Sequence, residues 1–266
     1  MNSDLKLEQI RGPVLIGLLA TVCIAVALQP PVPQDLRYHV FADTTMIGGI
    51  ANGLNVLSNF PFFMIGAIGL EMAIRSGRSR EPGGRWKRVA MILMFAGVLL
   101  IALGSGWYHL EPANRTLLWD RLPMTVVFMM FFALMIGDRI GSSIGRRLYL
   151  PLLLVGIVSV LYWYLGERSG TGDLRPYVVV QFAPMLLLPL IALLYPAGEF
   201  DTRDFWIILL LYGAAKVVEI GDSRIFEATA HVVSGHTLKH LLAAAATGWM
   251  LRLIPKQRDN REIKEQ

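Results

Sequence analysis

The sequence predicts an all-α, polytopic membrane helical bundle, in which a seven-helix core follows one extra N-terminal span. Of its 266 residues, 54% are hydrophobic and only 17% are charged, whereas a soluble domain is usually about a quarter charged. The mean hydropathy is +0.50. Long apolar stretches recur along the chain, separated by short segments rich in charges, Gly and Pro. We therefore expect about eight transmembrane helices whose outer surfaces face lipid.

Eight stretches come close to the roughly 20 apolar residues that a helix needs to cross the hydrocarbon core. They cover residues 12–30, 52–74, 87–109, 121–138, 146–165, 175–196, 204–220 and 235–254. The first resembles a signal peptide, but no convincing cleavage site follows it, so we expect it to be retained. The predicted organisation is an N-terminal span and loop (1–42), the seven-helix core (43–254) and a charged cytoplasmic tail (255–266).

The distribution of basic residues predicts the orientation of these spans. Of the 25 Lys and Arg residues, 17 fall on the side that holds both termini and six on the opposite side, while Lys216 and Lys239 lie within spans. The positive-inside rule makes the first side cytoplasmic. This topology also accounts for the net charge of +5, so we expect no nucleic-acid partner. Cys23 is the only cysteine, which excludes an intrachain disulfide.

Polar side chains gather at one end of the predicted bundle. Polar groups within membrane spans are costly and usually mark function. In an alternating topology the following residues all fall at the end opposite the cytoplasm: Ser105, His109, Asp120, Lys216, Glu219, Asp222, His236, Lys239 and His240. His39 and His231 are on the same side but in loops, where we expect them to be solvated.

The spacing of these residues indicates a metal site. His236 and His240 are four residues apart and share one helical face, and Ser105 and His109 have the same spacing on the third span. Three histidines with an open position and a nearby carboxylate form a catalytic zinc site, in which the metal lowers the pKa of its bound water. Asp120 then serves as general base, and Ser105 holds the carbonyl oxygen or orients the water.

Each of these residues also has a structural interpretation that spacing alone leaves open. The two histidines of the eighth span can form interfacial hydrogen bonds instead of binding a metal. The other interpretations are His109 as an aromatic-belt residue, Asp120 as a helix cap, Ser105 bonded to its own helix, and Lys216 with Glu219 as a buried ion pair.

Three motifs, in order, resemble those of a known family. Gly-Ser-Gly-Trp-Tyr-His (104–109), Asp-Arg-Leu-Pro-Met (120–124) and His-Thr-Leu-Lys-His (236–240) are similar to the Ser-x-x-x-His, Asp and His-x-x-x-His signature of the alkaline ceramidases. That family belongs to a superfamily of seven-span membrane hydrolases that includes the adiponectin and progestin receptors. The segment Asn-Val-Leu-Ser-Asn-Phe-Pro (55–61) resembles the family's Asn-x-x-Ser-Asn stretch. The resemblance runs from about Asp43 to Ile254.

The resemblance implies an activity and assigns roles. His109, His236 and His240 would bind Zn²⁺, Asp120 would assist the water, and Ser105 would stabilise the oxyanion. The implied reaction is hydrolysis of the amide of a ceramide-like membrane lipid to a fatty acid and a long-chain amine. Lys216, Glu219, Asp222 and Lys239 are candidates for orienting a histidine or contacting a lipid headgroup.

The sequence departs from the eukaryotic members at their calcium-binding acidic cluster. Of that cluster only Asp43 remains, and Asn52 stands about where a further Glu would be. Calcium requires six to eight oxygen ligands, so we expect no calcium regulation. Asp43 and Asn52 then act as loop caps, or Asp43 contacts a Lys or Arg near the site. The missing cluster and compact chain favour a bacterial inner-membrane protein.

Two rival functions belong to other classes. A receptor-like, lipid-binding protein of the same fold would hold a structural zinc and show little turnover, but such a protein needs no open metal position. A transporter would place its polar groups near the midplane between repeats, whereas here they lie at one end. The sequence does not indicate an oligomeric state.

Overall fold

The computed structural model describes residues 2–76 and 84–255, with side chains from residue 10 onward. Within this part the chain is helical and has no β-strand; a single bridge pairs Ile47 with Ile50. The predicted all-α class is therefore confirmed. Residues 256–266 of the predicted tail, and the basic residues Arg78 and Arg80, lie outside the described residues.

Each predicted span coincides with a helix or a pair of helices. The bounds of the helices are α1 (Asn2–Ala27), α2 (Gly53–Leu57), α3 (Phe60–Arg75), α4 (Gly84–Leu110), α5 (Asn114–Arg139), α6 (Ser142–Arg168), α7 (Arg175–Leu194), α8 (Thr202–Ile220), α9 (Asp222–Ala228) and α10 (Gly235–Trp249). The helices α1 and α5 begin seven to ten residues earlier than predicted, and α9 was not predicted. Single 3₁₀ turns cover Leu36–His39 and Met250–Leu253.

Six segments in the described residues are long and apolar enough to cross a membrane: α1, α2 with α3, α4, α5, α6 and α7. The other two predicted spans do not meet these criteria. The sequence of α8 carries four charged residues, and α10 has only 15 residues. Because α10 continues into the 3₁₀ turn Met250–Leu253, the two together extend about 30 Å, which matches the hydrocarbon core. The chain is a polytopic membrane protein.

The central helix of the bundle is α5. It packs against α4, α6 and α7, and 72% of the residues in its most apolar stretch are buried. In contrast, α6 turns an apolar stripe outward, with Leu154, Val158 and Leu165 each about 60% exposed. Exposed aliphatic stripes of this kind are stable against lipid tails and unfavourable in water. The helix α1 packs against α7 at the edge of the bundle.

One end of the bundle, here called the site end, joins the C-terminal ends of α4 and α8 to the first turns of α5 and α10. Two glycines allow these helices to approach closely. A Cβ atom at Gly104 of α4 would lie 2.0 Å from the carbonyl oxygen of Trp119 of α5. A Cβ atom at Gly235 would lie 2.1 Å from the carbonyl oxygen of Val218 in α8. Any larger residue at either position would push the site-bearing helices apart.

This packing predicts opposite effects for two neighbouring glycines. Gly104→Ala should destabilise the protein by about 1–3 kcal/mol, because its methyl group overlaps the α5 backbone. Gly106→Ala is the matched control, since it lies on the same helix and a Cβ atom there meets nothing within 4 Å. That substitution should be neutral or stabilising by up to about 1 kcal/mol through helix propensity.

Thermal unfolding of the purified variants in neutral detergent, followed by circular dichroism, measures the difference. A lower melting temperature for Gly104→Ala only is the expected result. Equal melting temperatures for both variants would contradict the close approach of α4 and α5.

Candidate metal centre

Three histidines meet at the site end. His109 lies at the end of α4, while His236 and His240 face it from the first two turns of α10. All three are buried, with exposed fractions of 1%, 7% and 4%. The Nε2 atom of His109 lies 3.3 Å from the Nε2 atoms of both His236 and His240. The spacing of four residues on α10 therefore produces the convergence that the sequence predicts.

The separation of these nitrogens fits a zinc ion. Zn–N bonds of about 2.0–2.1 Å in a tetrahedral arrangement place the ligand nitrogens about 3.3–3.4 Å apart. Hydrogen bonding explains the cluster less well, because the single N–H of a neutral imidazole satisfies only one neighbour. One metal ion would accept the lone pairs of all three rings, whose ligand atoms lie within 4.8 Å of one another. The three histidines could therefore hold a metal ion.

A hydrogen-bonded chain orients His240. Its Nδ1 atom lies 2.7 Å from the hydroxyl of Ser58, and that hydroxyl donates to the carbonyl of Asn55 at 3.2 Å. Because the Ser58 hydroxyl donates its proton to Asn55, Nδ1 of His240 must donate its own proton to the Ser58 oxygen. Nε2 of His240 then carries the free lone pair. Thr237 donates to the Asn55 side chain at 3.1 Å. This network fixes the tautomer that metal binding needs.

Asp222 and Asn52 position the other two histidines through their backbones. One oxygen of Asp222 accepts the N–H of His236 at 2.7 Å, and the other accepts the N–H of Ala42 at 3.1 Å. Asn52 donates from its amide to the carbonyl of His109 at 2.8 Å. The side chain of Asn52 therefore contacts the histidine-bearing turn of α4 and does not cap α2, although its backbone stands at that helix's N-cap.

Asp43 lies in the loop between the 3₁₀ turn Leu36–His39 and α2. One of its oxygens accepts the N–H of Thr45 at 2.9 Å, and its carbonyl accepts from Asn55 at 3.1 Å. The second oxygen is buried and has no hydrogen-bond partner in the described part of the chain. Asp43 forms no ion pair with a Lys or Arg among these residues, so its observed role is to cap the loop.

Ser105 and Asp120 lie together beside the histidines. The close contact at Gly104 brings Ser105 to the second turn of α5, beside Asp120, and both residues line the same cavity. Both are buried. Because α5 begins at Asn114, Asp120 is well inside the helix, and the interpretation of Asp120 as a helix cap is wrong. His109, only 1% exposed, is likewise no aromatic-belt residue.

Glu219 of α8 forms ion pairs with two lysines next to the three histidines. Its carboxylate pairs with Lys216 on its own helix and with Lys239 of α10, the latter at 2.8 Å. The Lys239 ammonium also lies 3.5 Å from Nε2 of His236. The predicted Lys216–Glu219 pair is present, and Lys239 extends it into a bridge between the two helices. Two cations share one carboxylate here.

A cavity leads from these groups into the bundle. Its polar end is lined by Ser105, Asp120, Arg121, Glu219 and His240. Further in, the walls are apolar, with Phe131, Leu188, Ile208 and Met250. Phe131 lies eleven positions after Asp120 on α5, so the apolar part extends about 16 Å along the helix. This length suits an extended alkyl chain.

The structure adds residues that the sequence interpretation missed. Phe41 covers the metal centre, with its ring centroid 4.7 Å from that of His109 and 5.0 Å from that of His236. The prediction that His39 is solvated is wrong. Its two ring nitrogens contact the hydroxyl of Tyr108 at 3.0 Å and the side-chain oxygen of Asn114 at 2.9 Å. Loop residues such as these carry no periodic signal. His231 is exposed, as expected.

Comparison with known proteins identifies the family of the chain. The sequence model of the family described as Ceramidase matches residues 43–188. The matched segment is more than half of the chain and includes Ser105, His109 and Asp120; it ends before the helix that carries His236 and His240. No curated protein matches the sequence. The chain belongs to the ceramidase family.

Proposed function

We propose that this protein is a zinc-dependent membrane amidase that hydrolyses ceramide-like N-acyl lipids to a fatty acid and a long-chain amine. The observation that carries the proposal is the convergence of three buried imidazoles beside Ser105 and Asp120, with Nε2 of His109 3.3 Å from Nε2 of each of the other two. Membership in the ceramidase family supports the substrate class. The apolar cavity that begins at the same residues supports a lipid substrate.

In the proposed reaction His109, His236 and His240 hold the zinc ion. A bound zinc ion supplies Lewis-acid chemistry, polarising a carbonyl and activating water near neutral pH. Asp120 accepts a proton from the attacking water and later delivers it to the nitrogen of the leaving amine. Ser105 donates its hydroxyl to the oxygen that becomes negative as the carbonyl carbon turns tetrahedral.

Other residues hold these groups in place. Ser58 fixes the ring of His240 through Nδ1, and Asp222 fixes the first turn of α10. Glu219 keeps the ammonium of Lys239 beside the histidines. The apolar walls of the cavity bind the acyl chain and exclude water from it, so that water reaches the reacting carbon only from the polar end.

We also propose the topology of the protein, with both termini in the cytoplasm and the site end on the opposite face of a bacterial inner membrane. The charge distribution supports it: Arg115, Arg168 and Arg175 lie at the site end, whereas most Lys and Arg residues lie at the other end or near the termini.

Metal analysis tests the ligand set. Purified wild-type protein should contain about one zinc per chain by elemental analysis, as a single catalytic site requires. His240→Ala should lose it, because two imidazoles remain. His231→Ala is the control, since His231 is an exposed histidine on the same side of the membrane. Zinc-free wild-type protein would contradict the site as a whole.

Ser58→Ala tests the orienting hydrogen bond. Removal of the partner of Nδ1 should weaken zinc affinity by about 10–100-fold, measured by competition with a chelator. The matched control is Ser159→Ala, because Ser159 is also buried and, among the described residues, bonds only to its own helix at Gly156. Equal zinc affinity in both variants would show that Ser58 does not orient the ligand.

Asp120→Asn tests the proton transfer. This variant should retain zinc and lose turnover by about 10²-fold or more, since general base catalysis typically contributes that much. The measurement is release of fatty acid from short-chain and long-chain ceramides, with and without chelator. Full activity of Asp120→Asn would contradict its role as the base. Wild-type protein that releases no fatty acid from any N-acyl lipid would contradict the amidase and favour lipid binding without turnover.

Reporter fusions test the topology. A green fluorescent protein fused after Gln266 should fluoresce in bacterial cells, because the positive-inside rule places this terminus in the cytoplasm. Alkaline phosphatase at the same position should be inactive. The reverse pattern would invert the proposed orientation.

A further inference from the structure

Arg121 forms a second polar site on the cavity, separate from the metal centre. It follows Asp120 on α5 and is only 4% exposed. Its guanidinium carbon lies 4.2 Å from the ring centroid of Trp163, 4.7 Å from that of Tyr177 and 5.4 Å from that of Tyr38. Three aromatic side chains therefore surround one buried cation, and Arg121, Tyr177 and Tyr38 also line the cavity.

The guanidinium has unused donors. Its Nη2 atom donates to the side chain of Gln34 at 2.8 Å, whereas Nε and Nη1 are buried and have no hydrogen-bond partner among the described residues. Nε and Nη1 together carry three of the five N–H groups of an arginine. No carboxylate within the described part of the chain forms an ion pair with Arg121. A buried cation in this state gains from an anionic acceptor.

Among the described residues, neither carboxylate on the cavity, Asp120 or Glu219, forms a hydrogen bond or ion pair with Arg121. Glu219 is already shared by Lys216 and Lys239. With Arg121 and Asp120 included, three cations and two carboxylates line the polar end. The polar end therefore has an excess of positive charge before any metal ion is counted, and it favours a ligand that carries a negative group.

The position of Arg121 identifies the part of the substrate that would carry this group. The apolar walls continue away from Asp120 toward Phe131 and Leu188, and the acyl chain occupies that direction. Tyr38 and Tyr177 stand at the opposite, polar end, together with Arg121. A group held by Arg121 thus lies on the amine side of the amide that is cleaved.

We propose that the substrates include N-acyl amino acids or related lipids with an anionic group on the amine moiety, which Arg121 binds within its aromatic cage. This inference rests on the proposed amidase function. The reaction is hydrolysis: the amide C–N bond breaks, water provides the new C–O bond, and one proton goes to the nitrogen. The products are a fatty acid and an amino acid, and no other reactant is needed.

Two probes that differ in one group test the proposal. N-dodecanoylglycine carries a carboxylate on the amine side, and N-dodecanoylethanolamine carries a hydroxyl at the equivalent position. Wild-type protein loaded with zinc, in neutral detergent, should cleave the first with a kcat/KM at least about tenfold higher, the effect of one charge-assisted contact in a buried site. Equal kcat/KM values would overturn the proposal without any variant.

Variants assign the preference to Arg121. Arg121→Gln should raise KM for N-dodecanoylglycine by about tenfold or more and change hydrolysis of N-dodecanoylethanolamine by less than about twofold. Arg121→Lys should retain part of the preference, because it keeps the charge but not the planar fork. Arg115→Gln is the matched control, since Arg115 is on the same helix and largely exposed, in an ion pair with Glu111. Equal losses on both probes in Arg121→Gln would assign Arg121 a structural role only.

A binding measurement separates this inference from the amidase proposal. In an Asp120→Asn background, which should hold lipid without turnover, the ratio of Kd values for the two probes is compared with and without Arg121→Gln. If wild-type protein cleaves ceramides but neither probe, the proposed substrate class is overturned while the amidase stands. If it cleaves neither the probes nor ceramides, the amidase proposal fails, and these Kd values alone decide the anionic site. Equal Kd values for the two probes would overturn it. A dependence on Arg121 seen for dodecanoate but not for N-dodecanoylglycine would also overturn it, because the site would then bind the fatty acid product.

Discussion

A polar group surrounded by hydrocarbon must find its partner within the protein, and this constraint arranges the whole site end. Water cannot satisfy buried donors and acceptors there, so most polar side chains of the site end are met by another helix or loop. The close approaches at Gly104 and Gly235 make this possible, because they bring α4 onto α5 and α10 onto α8 with only backbone atoms between them. The polar contacts of the site depend on these two crossings.

As a result, the three histidines of the site are themselves held by a surrounding set of hydrogen-bonding residues. The three imidazoles face one another, and the groups behind them are held in turn by Ser58, Asp222 and Asn52. Each of these residues connects a histidine to a segment distant in sequence. Asp222, for example, bonds to both His236 and Ala42, so the loop before α2 and the start of α10 cannot move independently. Such coupling restrains the ligand nitrogens at a constant separation, which is what a rigid metal site requires.

Much of this could be predicted from the sequence because the signals were periodic. The apolar stretches predicted the long helices, and the spacing of His236 and His240 predicted that both rings share a face, which the structure confirms. What periodicity could not supply was the starting point of α5. Placing it near Asp120 allowed that residue to be a cap, whereas the helix begins at Asn114. The contacts of His39 and Phe41 were equally inaccessible, since loop conformation depends on tertiary partners that leave no pattern in the chain.

The structure changes the interpretation of Arg121 that the sequence alone suggests. In the sequence it is one of six basic residues on the non-cytoplasmic side, where it contributes to topology. In the fold it points inward among three aromatic rings, at the polar end of a cavity whose remaining length is apolar. A cation that served topology alone would reach the interface and be solvated, as a long side chain can do. Its retention in the interior, with two guanidinium nitrogens that have no hydrogen-bond partner in the described part of the chain, is costly in stability, and polar groups kept in the membrane interior usually mark function. The cavity is thus divided into a cationic end, beside the three histidines, and an apolar length, and an amphiphilic ligand would match this division.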